Sequence, residues 1–323
     1  FTLETEPRLC AFDAKTGRKI WDTNVRDRQE DDPVIGGGIS YSNGRLYATT
    51  GYDEILSLNP QDGKIVWRLA LPSPSRAAPT VMDTRLFVTT LDNRLLALDA
   101  ASGQLLWEYS GIDEATGLVG AASPAAARDI VIPAFSSGEI VALRVENGTA
   151  AWSDNLSSTV SGDSLTGISD IRALPVLDRG LVIAVSFGGK MVAIEERTGN
   201  RVWQRDIGGS ETPWVVGNAV FVLSSDNELV ALARDTGAIR WVQRLAKFED
   251  HDSREGAITW TAPIFAGGRL ILVGTGGRMV EIAPDTGTII RKGSVGKTVT
   301  IAPVVAGDTL YLLADNGTLM AYK

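Results

Sequence analysis

The chain has one histidine, His251, in F-E-D-H-D-S-R-E (Phe248 to Glu255). An imidazole among carboxylates is where a metal ion or a general base would first be sought. Alternation along D-H-D sends successive side chains in opposite directions, so the segment reads as an acidic exposed loop. Cysteine also occurs once, as Cys10, which excludes a disulfide framework. It stands where similar segments carry Leu56 and Leu96, the position of a small buried hydrophobe. G-S-V-G-K-T (Gly293 to Thr298) ends like a phosphate loop, but Arg291 occupies the place of its first glycine and no helix follows. No G-x-S-x-G elbow is present to mark a nucleophile. The expectation is a chain with no catalytic residues, no metal and no cofactor.

Six of the eight tryptophans share one spacing. Each closes a segment of the form apolar–x–small–apolar, then a polar turn ending in Gly, with Trp four residues on. Examples are L-C-A-F-D-A-K-T-G-R-K-I-W (Leu9 to Trp21), I-L-S-L-N-P-Q-D-G-K-I-V-W (Ile55 to Trp67) and L-L-A-L-D-A-A-S-G-Q-L-L-W (Leu95 to Trp107). Further copies end at Trp152, Trp203 and Trp241. A seventh puts Arg291 in the tryptophan position, and L-M-A-Y from Leu319 begins an eighth. The turn glycines recur about every 45 residues, a period of propellers and solenoids.

Apolar positions such as Leu95, Ala97 and Leu98 lack the three-and-four spacing of a helix, so the unit is built of strands. Asp or Asn caps the D-x-x-T-G turn, and Gly accepts positive φ there, which predicts a tight hairpin. Upstream pairs such as Ala78 to Thr90 and Ala262 to Val273 bring the count to four strands per repeat. Four short antiparallel strands every repeat form a propeller blade. The repeating Trp is read as a wedge between blades, since one aromatic buries roughly 150–250 Å². The expected fold is all-β, a single domain over 1–323: an eight-bladed β-propeller of four-stranded antiparallel blades with an N-terminally truncated first blade, the missing strands lying upstream of Phe1.

At 323 residues and 44% hydrophobic, with 34 Gly and 13 Pro, the composition suits one large domain rich in turns. A net charge of −8 argues against nucleic acid and anionic membrane surfaces. No apolar run has the length of a membrane span. The informative irregularities lie in the connections between repeats. Between the Trp position and the next Pro there are 11 residues from Trp67 to Pro79 and 9 from Trp203 to Pro213. Three connections are longer: 16 residues from Trp107 to Pro124, 22 from Trp152 to Pro175, and 21 from Trp241 to Pro263. In a propeller all of these emerge on one face, and insertions confined to one face mark a binding surface. The first two carry apolar residues, Leu118 and Val119, then Leu165, Ile168 and Ile171, while the third is highly charged.

The A-x-D-x-x-T-G-x-x-x-W repeat resembles that of the propellers named after pyrroloquinoline quinone dehydrogenases. The dehydrogenase branch of that family uses a pair of adjacent cysteines, which a lone Cys10 cannot supply. Over essentially its whole length the chain is similar to the other branch, the BamB outer-membrane assembly factors. That resemblance implies a non-catalytic scaffold of the β-barrel assembly machinery, lipid-anchored at the periplasmic face of the outer membrane. It implies docking on the periplasmic (POTRA) domains of BamA and a part in presenting unfolded outer-membrane proteins. BamB proteins bind BamA through two loops, one with L-x-L-R before G-x-x-x-P and one with D-x-D before x-x-P. T-G-L-V-G-A-A-S-P (Thr116 to Pro124) stands in the first place, so Leu118 matches while Thr116 and Val119 depart. D-I-R-A-L-P (Asp170 to Pro175) stands in the second, so Asp170 matches while Arg172 replaces an acid. Leu118 and Asp170 are therefore the expected partner-binding residues, with positive charge exchanged between the loops. The rival expectation is a small-ligand propeller for a quinone or a sugar, to which Trp214 and Trp260, outside the repeat position, would contribute.

Overall fold

The computed structural model describes residues 1–4, 8–26, 36–114, 118, 120–157, 170–250 and 252–323. They form two compact units, Phe1–Leu177 with Glu196–Gly199, and Asp178–Glu195 with Asn200–Lys323. Among the described residues there are eight successive up-and-down antiparallel sheets. The first (Thr2–Leu3, Arg8–Phe12, Lys19–Asn24) and the last (Val304–Ala306, Thr309–Leu313, Leu319–Tyr322) have three strands, and the six between them have four. The third sheet, for example, consists of Thr80–Met82, Arg85–Thr89, Arg94–Asp99 and Leu105–Ser110.

In the six four-stranded sheets the third strand is largely buried on both faces, which explains its near-continuous apolar run. In Arg94–Asp99, Leu96 and Leu98 pack toward Leu86, Val88, Tyr47 and Ile55, between the third sheet and the second. Leu95 and Ala97 face the other way, onto Val131, Val141 and Leu143 of the fourth sheet. The same two-sided alternation recurs where Leu56 and Leu58 meet Leu9. Period-2 geometry thus divides one strand between two cores.

The repeat motif closes a turn one step wider than a two-residue hairpin. The Gly17 N–H donates to the Asp13 carbonyl at 2.9 Å, and Gly103 does the same to Asp99 at 2.8 Å. Asp13 Oδ1 accepts from the Lys15 and Thr16 amides, as Asp99 Oδ1 does from Ser102. The two strands joined by this turn then slip by one residue in their pairing, between Ala11 and Phe12 in the first sheet and between Ala97 and Leu98 in the third. Just before the slip a small residue faces the tryptophan: Ala11 opposite Trp21, Ser57 opposite Trp67, Ala97 opposite Trp107, Ala142 opposite Trp152, Ala193 opposite Trp203, and Ala231 opposite Trp241.

Each indole then reaches the following repeat. Trp21 Nε1 donates to the Pro60 carbonyl (2.9 Å), Trp67 to Ala100 (3.3 Å), Trp107 to Val145 (3.0 Å) and Trp152 to Glu196 (2.8 Å). In the second unit Trp203 donates to Arg234 (2.7 Å) and Trp241 to Pro284 (2.8 Å). Every acceptor is the second residue of the next turn, and the ring lies against that turn's glycine. A Cβ on Gly103 would stand 2.9 Å from Trp67, and one on Gly148 2.6 Å from Trp107. A Cβ on Gly17 has nothing within 4 Å. The seventh repeat exchanges the pair: Glu281 stands opposite Arg291, and its carboxylate also pairs with Arg269 at 2.9 Å.

Gly17 and Gly103 therefore isolate the two demands on this position, since their φ values, +69° and +76°, are alike. Gly17→Ala should cost about 1–2 kcal/mol of left-handed strain. Gly103→Ala should lose a further ~1–3 kcal/mol from overpacking against Trp67. Denaturation midpoints of the two variants measured side by side check this, with the larger loss at Gly103.

Candidate functional site

The first two long connections meet in the first unit, above the third and fourth sheets. Asn93 sits in the turn before Arg94–Asp99 at φ +57°. Its carbonyl accepts the Gly111 N–H (2.8 Å), and Nδ2 donates to the Ile112 carbonyl (2.7 Å), so the start of the first long connection is held on both sides. Asn93 Oδ1 accepts from the Ser136 N–H (3.1 Å) and hydroxyl (3.0 Å) on the fourth sheet's side. Glu139, on the fourth sheet (Ala125–Ala127, Ile130–Ile132, Glu139–Arg144, Ala150–Asn155), accepts the Ile112 N–H at 3.1 Å. The end of the second connection is tied to the same sheet, where the Ile171 N–H donates to the Phe135 carbonyl at 3.3 Å.

Asn227 repeats the device in the second unit. Its carbonyl accepts Leu245 N–H, and Nδ2 donates to the Ala246 and Ile258 carbonyls, pinning both ends of the third long connection. Between those points the connection folds into a small exposed hairpin, Phe248–Asp250 with Glu255–Ala257. His251 lies outside the described residues, and the described residues hold no cluster of three or more metal-ligating side chains.

Leu118 and Asp170 come together across 52 residues of chain: the Leu118 N–H donates to Asp170 Oδ2 at 2.6 Å. Leu118 is half-buried, whereas Asp170 is only 4% exposed. The acid therefore braces one loop against the other and does not offer its carboxylate to solvent. Burial holds the Asp170 carboxyl above the usual carboxylate range, opposed by the Leu118 N–H and by the charge of Arg172. Arg172 is exposed, and its Nε lies 2.8 Å from where a Cβ on Gly120 would stand, so the cation of one loop rests on the backbone of the other. Ile171 is fully buried and folds back on the sheet. Val119, Leu165 and Ile168 lie outside the described residues.

Beneath the junction is a cavity of about 220 Å³, lined among others by Arg76, Thr89, Leu118, Asp170 and Ile171. It is smaller than the roughly 300–1,000 Å³ of small-molecule sites. Trp260 is buried in an apolar core with Leu270 and Leu272 and donates to the Ala246 carbonyl (2.9 Å), while Trp214 is 36% exposed. Cys10 is fully buried beside Glu4, and burial pushes its thiol up to about 11, so it is not a reactive thiolate. In Gly293–Thr298 the Lys297 ammonium donates to the Thr318 hydroxyl (3.1 Å), and the segment runs from strand to turn.

The family model described as outer membrane protein assembly factor BamB matches residues 5–243 and 245–323. The chain belongs to the BamB family. BamB of Yersinia pestis is 26% identical over 328 residues, which span 100% of this chain and 81% of that one. The crystal structure of BamB from Moraxella catarrhalis matches with a TM-score of 0.82 at 21% identity, covering 94% of this chain and 88% of that chain. The quinohemoprotein alcohol dehydrogenase of Comamonas testosteroni matches with a TM-score of 0.71 at 13% identity, over 95% of this chain and 67% of that chain. At such identities the structural likeness speaks to fold alone, and that fold is the eight-bladed β-propeller. Asn93 is outside the residues that BamB resemblance singled out. The only sequence signal for Asn93 was an Asn in place of the Gly that precedes other third strands, such as Gly138.

Asn93→Gly keeps the left-handed turn and removes only the side-chain bonds. It should lose about 1–3 kcal/mol, and amide exchange at Ser136 should quicken while that at Gly111, bonded to the backbone, should not. A second expectation concerns pH. A raised carboxyl means that the folded chain holds the proton more tightly than the unfolded chain. Its contribution is fully present below the unfolded value and is lost as pH rises through the folded one. Asp170→Asn, which keeps an acceptor for Leu118, should therefore gain stability relative to wild type between about pH 3 and pH 7. Melting midpoints across that window check the sign, and the opposite slope would mean that the carboxylate is held as an ion.

Proposed function

We propose that this BamB-family chain is a non-catalytic scaffold of the outer-membrane β-barrel assembly machinery, docking on the periplasmic POTRA domains of BamA through the junction of its first two long connections. It works at the periplasmic face of the outer membrane, held there by a lipid anchor, and helps to present unfolded β-barrel precursors to BamA. The observation that carries the reading is the bond from Leu118 to Asp170, which makes one surface of two loops distant in sequence. Insertions on a rigid sheet framework, pinned at Asn93, Glu139 and Phe135, suit a docking surface.

The burial of Asp170 divides the labour between the two residues. Asp170 is a positioning residue, and the contacts are made by Leu118 and by the exposed Arg172. A half-buried aliphatic anchor beside a charged rim is the common arrangement of an interface centre.

Calorimetric titration of the chain with the cognate BamA periplasmic domains should give saturable binding. Leu118→Arg should weaken it by about tenfold or more. Arg172→Glu should act mainly through the on-rate and its salt dependence. A folded wild-type chain that does not bind those domains would discard the docking role.

A further inference from the structure

In each of the first seven sheets the last strand stands at the sheet's edge. In the first four sheets these strands (Lys19–Asn24, Ile65–Ala70, Leu105–Ser110 and Ala150–Asn155) carry two cations, Lys19 and Arg68, against three acids, Asp22, Glu108 and Asp154. Both cations are answered, Lys19 by Asp22 (2.8 Å) and Arg68 by Glu54. In the second unit the corresponding strands of the fifth, sixth and seventh sheets (Arg201–Arg205, Ile239–Arg244 and Ile289–Ser294) carry six cations and no acid. Trp203 and Trp241 bond to the turns that lead into the next edge strand, so the three edges are consecutive. A chain of net charge −8 thus gathers a stripe of one sign, a local reversal of its overall balance. Charges on sheet edges ordinarily block pairing with other chains, and either sign does that. Blocking explains the mixed edges of the first unit but not the single sign of the second.

Three of the six cations have no carboxylate partner among the described residues. Arg205 donates to the Gly237 and Thr236 carbonyls (2.6 and 2.9 Å), Arg240 donates to the Asn218 carbonyl (2.7 Å), and Lys292 is exposed without an ion pair. A carbonyl orients a guanidinium and leaves its positive charge in place. Arg244 and Arg291 lean on Glu228 (3.1 Å) and Glu281 (3.7 Å) while staying open to solvent. Apolar side chains stand among these cations. Val242, 47% exposed, alternates with Trp241 and shares its face with Arg244, and Ile290, 58% exposed, lies two residues from Lys292. Bare apolar residues also mark the first unit, as Leu105 and Leu106 do on the third sheet's edge beside Glu108. Only the second unit joins them to unanswered positive charge.

We propose that the outer edge of the second unit is a contact surface for an anionic phospholipid bilayer. Lipid phosphates accept from Arg240, Lys292 and their neighbours, and Val242 and Ile290 enter the boundary between headgroups and acyl chains. A bilayer answers both halves of the pattern, because it is a plane of negative charge with apolar material directly behind it. An acidic polypeptide answers the cations alone. The contact is independent of the docking role proposed above, since it requires no protein partner.

Cosedimentation of the whole chain with vesicles tests it. The chain should bind vesicles of phosphatidylethanolamine with phosphatidylglycerol, should ignore phosphatidylcholine vesicles, and should be released as salt is raised. Arg240→Gln with Lys292→Gln should weaken binding by about tenfold to thirtyfold. Val242→Ser with Ile290→Ser should weaken it by about threefold or more. Leu105→Ser with Leu106→Ser, equally apolar but beside an acid, should leave it unchanged. All of these positions are exposed, and each variant is first shown to melt like wild type. A folded chain that does not bind the phosphatidylglycerol vesicles, binds both vesicle types alike, or keeps its binding without Arg240 and Lys292 overturns the proposal. Capture of soluble poly-glutamate without vesicle binding overturns it too, and assigns the edge to an acidic polypeptide. None of these readings involves BamA, so a failure here leaves the docking role standing.

Discussion

One contact carries the architecture from each repeat to the next: an indole N–H given to a turn carbonyl of the following repeat, with the ring laid on that turn's glycine. The two halves enforce each other. The hydrogen bond fixes how far the ring reaches, and the missing Cβ gives the ring its place, as the 2.6 Å approach to Trp107 at Gly148 shows. A Trp wedge alone would bury area in many orientations. A wedge with a donor at its tip has one, so each repeat inherits its placement from its predecessor. The short side chain opposite the tryptophan, Ala or Ser in six repeats, leaves room for the ring on its own sheet.

The same constraint explains the one repeat that departs from the pattern. Read alone, Arg291 is a lost tryptophan. In the sheet it is half of an exchange, because Glu281 replaces the small residue facing it, and Arg269 shares the carboxylate. Position in a cross-strand pair, not the residue's own type, decides what the substitution means. A small–aromatic pair becomes an acid–base pair, each suited to the 4.5–5.5 Å between facing residues.

Much of the fold was legible because repeats average out local ambiguity: seven turns with glycine in register leave few alternatives to a propeller. Two features of the site were not legible, for a physical reason. Asn93 and Asn227 resemble ordinary turn residues, since Asn tolerates left-handed φ almost as Gly does. Their amides tie down long connections, a role visible only once Ile112, Ser136, Ala246 and Ile258 are placed around them. The matched residues Leu118 and Asp170 do come together, with Leu118 half-buried and Asp170 buried. Asp170 is structural support, and Arg172, which breaks the motif, is the residue that solvent reaches.

These placements account for how variable loops can share one rigid base. In five of the sheets the turn before the third strand presents a carbonyl to the chain leaving the fourth strand, from Asp53, Asn93, Gly138, Asn227 and Gly277. Gly satisfies that demand and nothing more. Asn satisfies it and adds an amide that holds the next stretch of chain, so a connection can lengthen there without losing its anchor. The first and third long connections follow Asn93 and Asn227 in this way. The second follows Gly138 and borrows its fixed points from the Phe135 carbonyl and from Leu118 of the neighbouring loop. Its order depends on the first connection, which couples the two loops: a change that loosens Asn93 reaches Asp170 through Leu118. A surface assembled this way keeps its shape through a short chain of hydrogen bonds, each with an end on a sheet or on a loop already pinned to one.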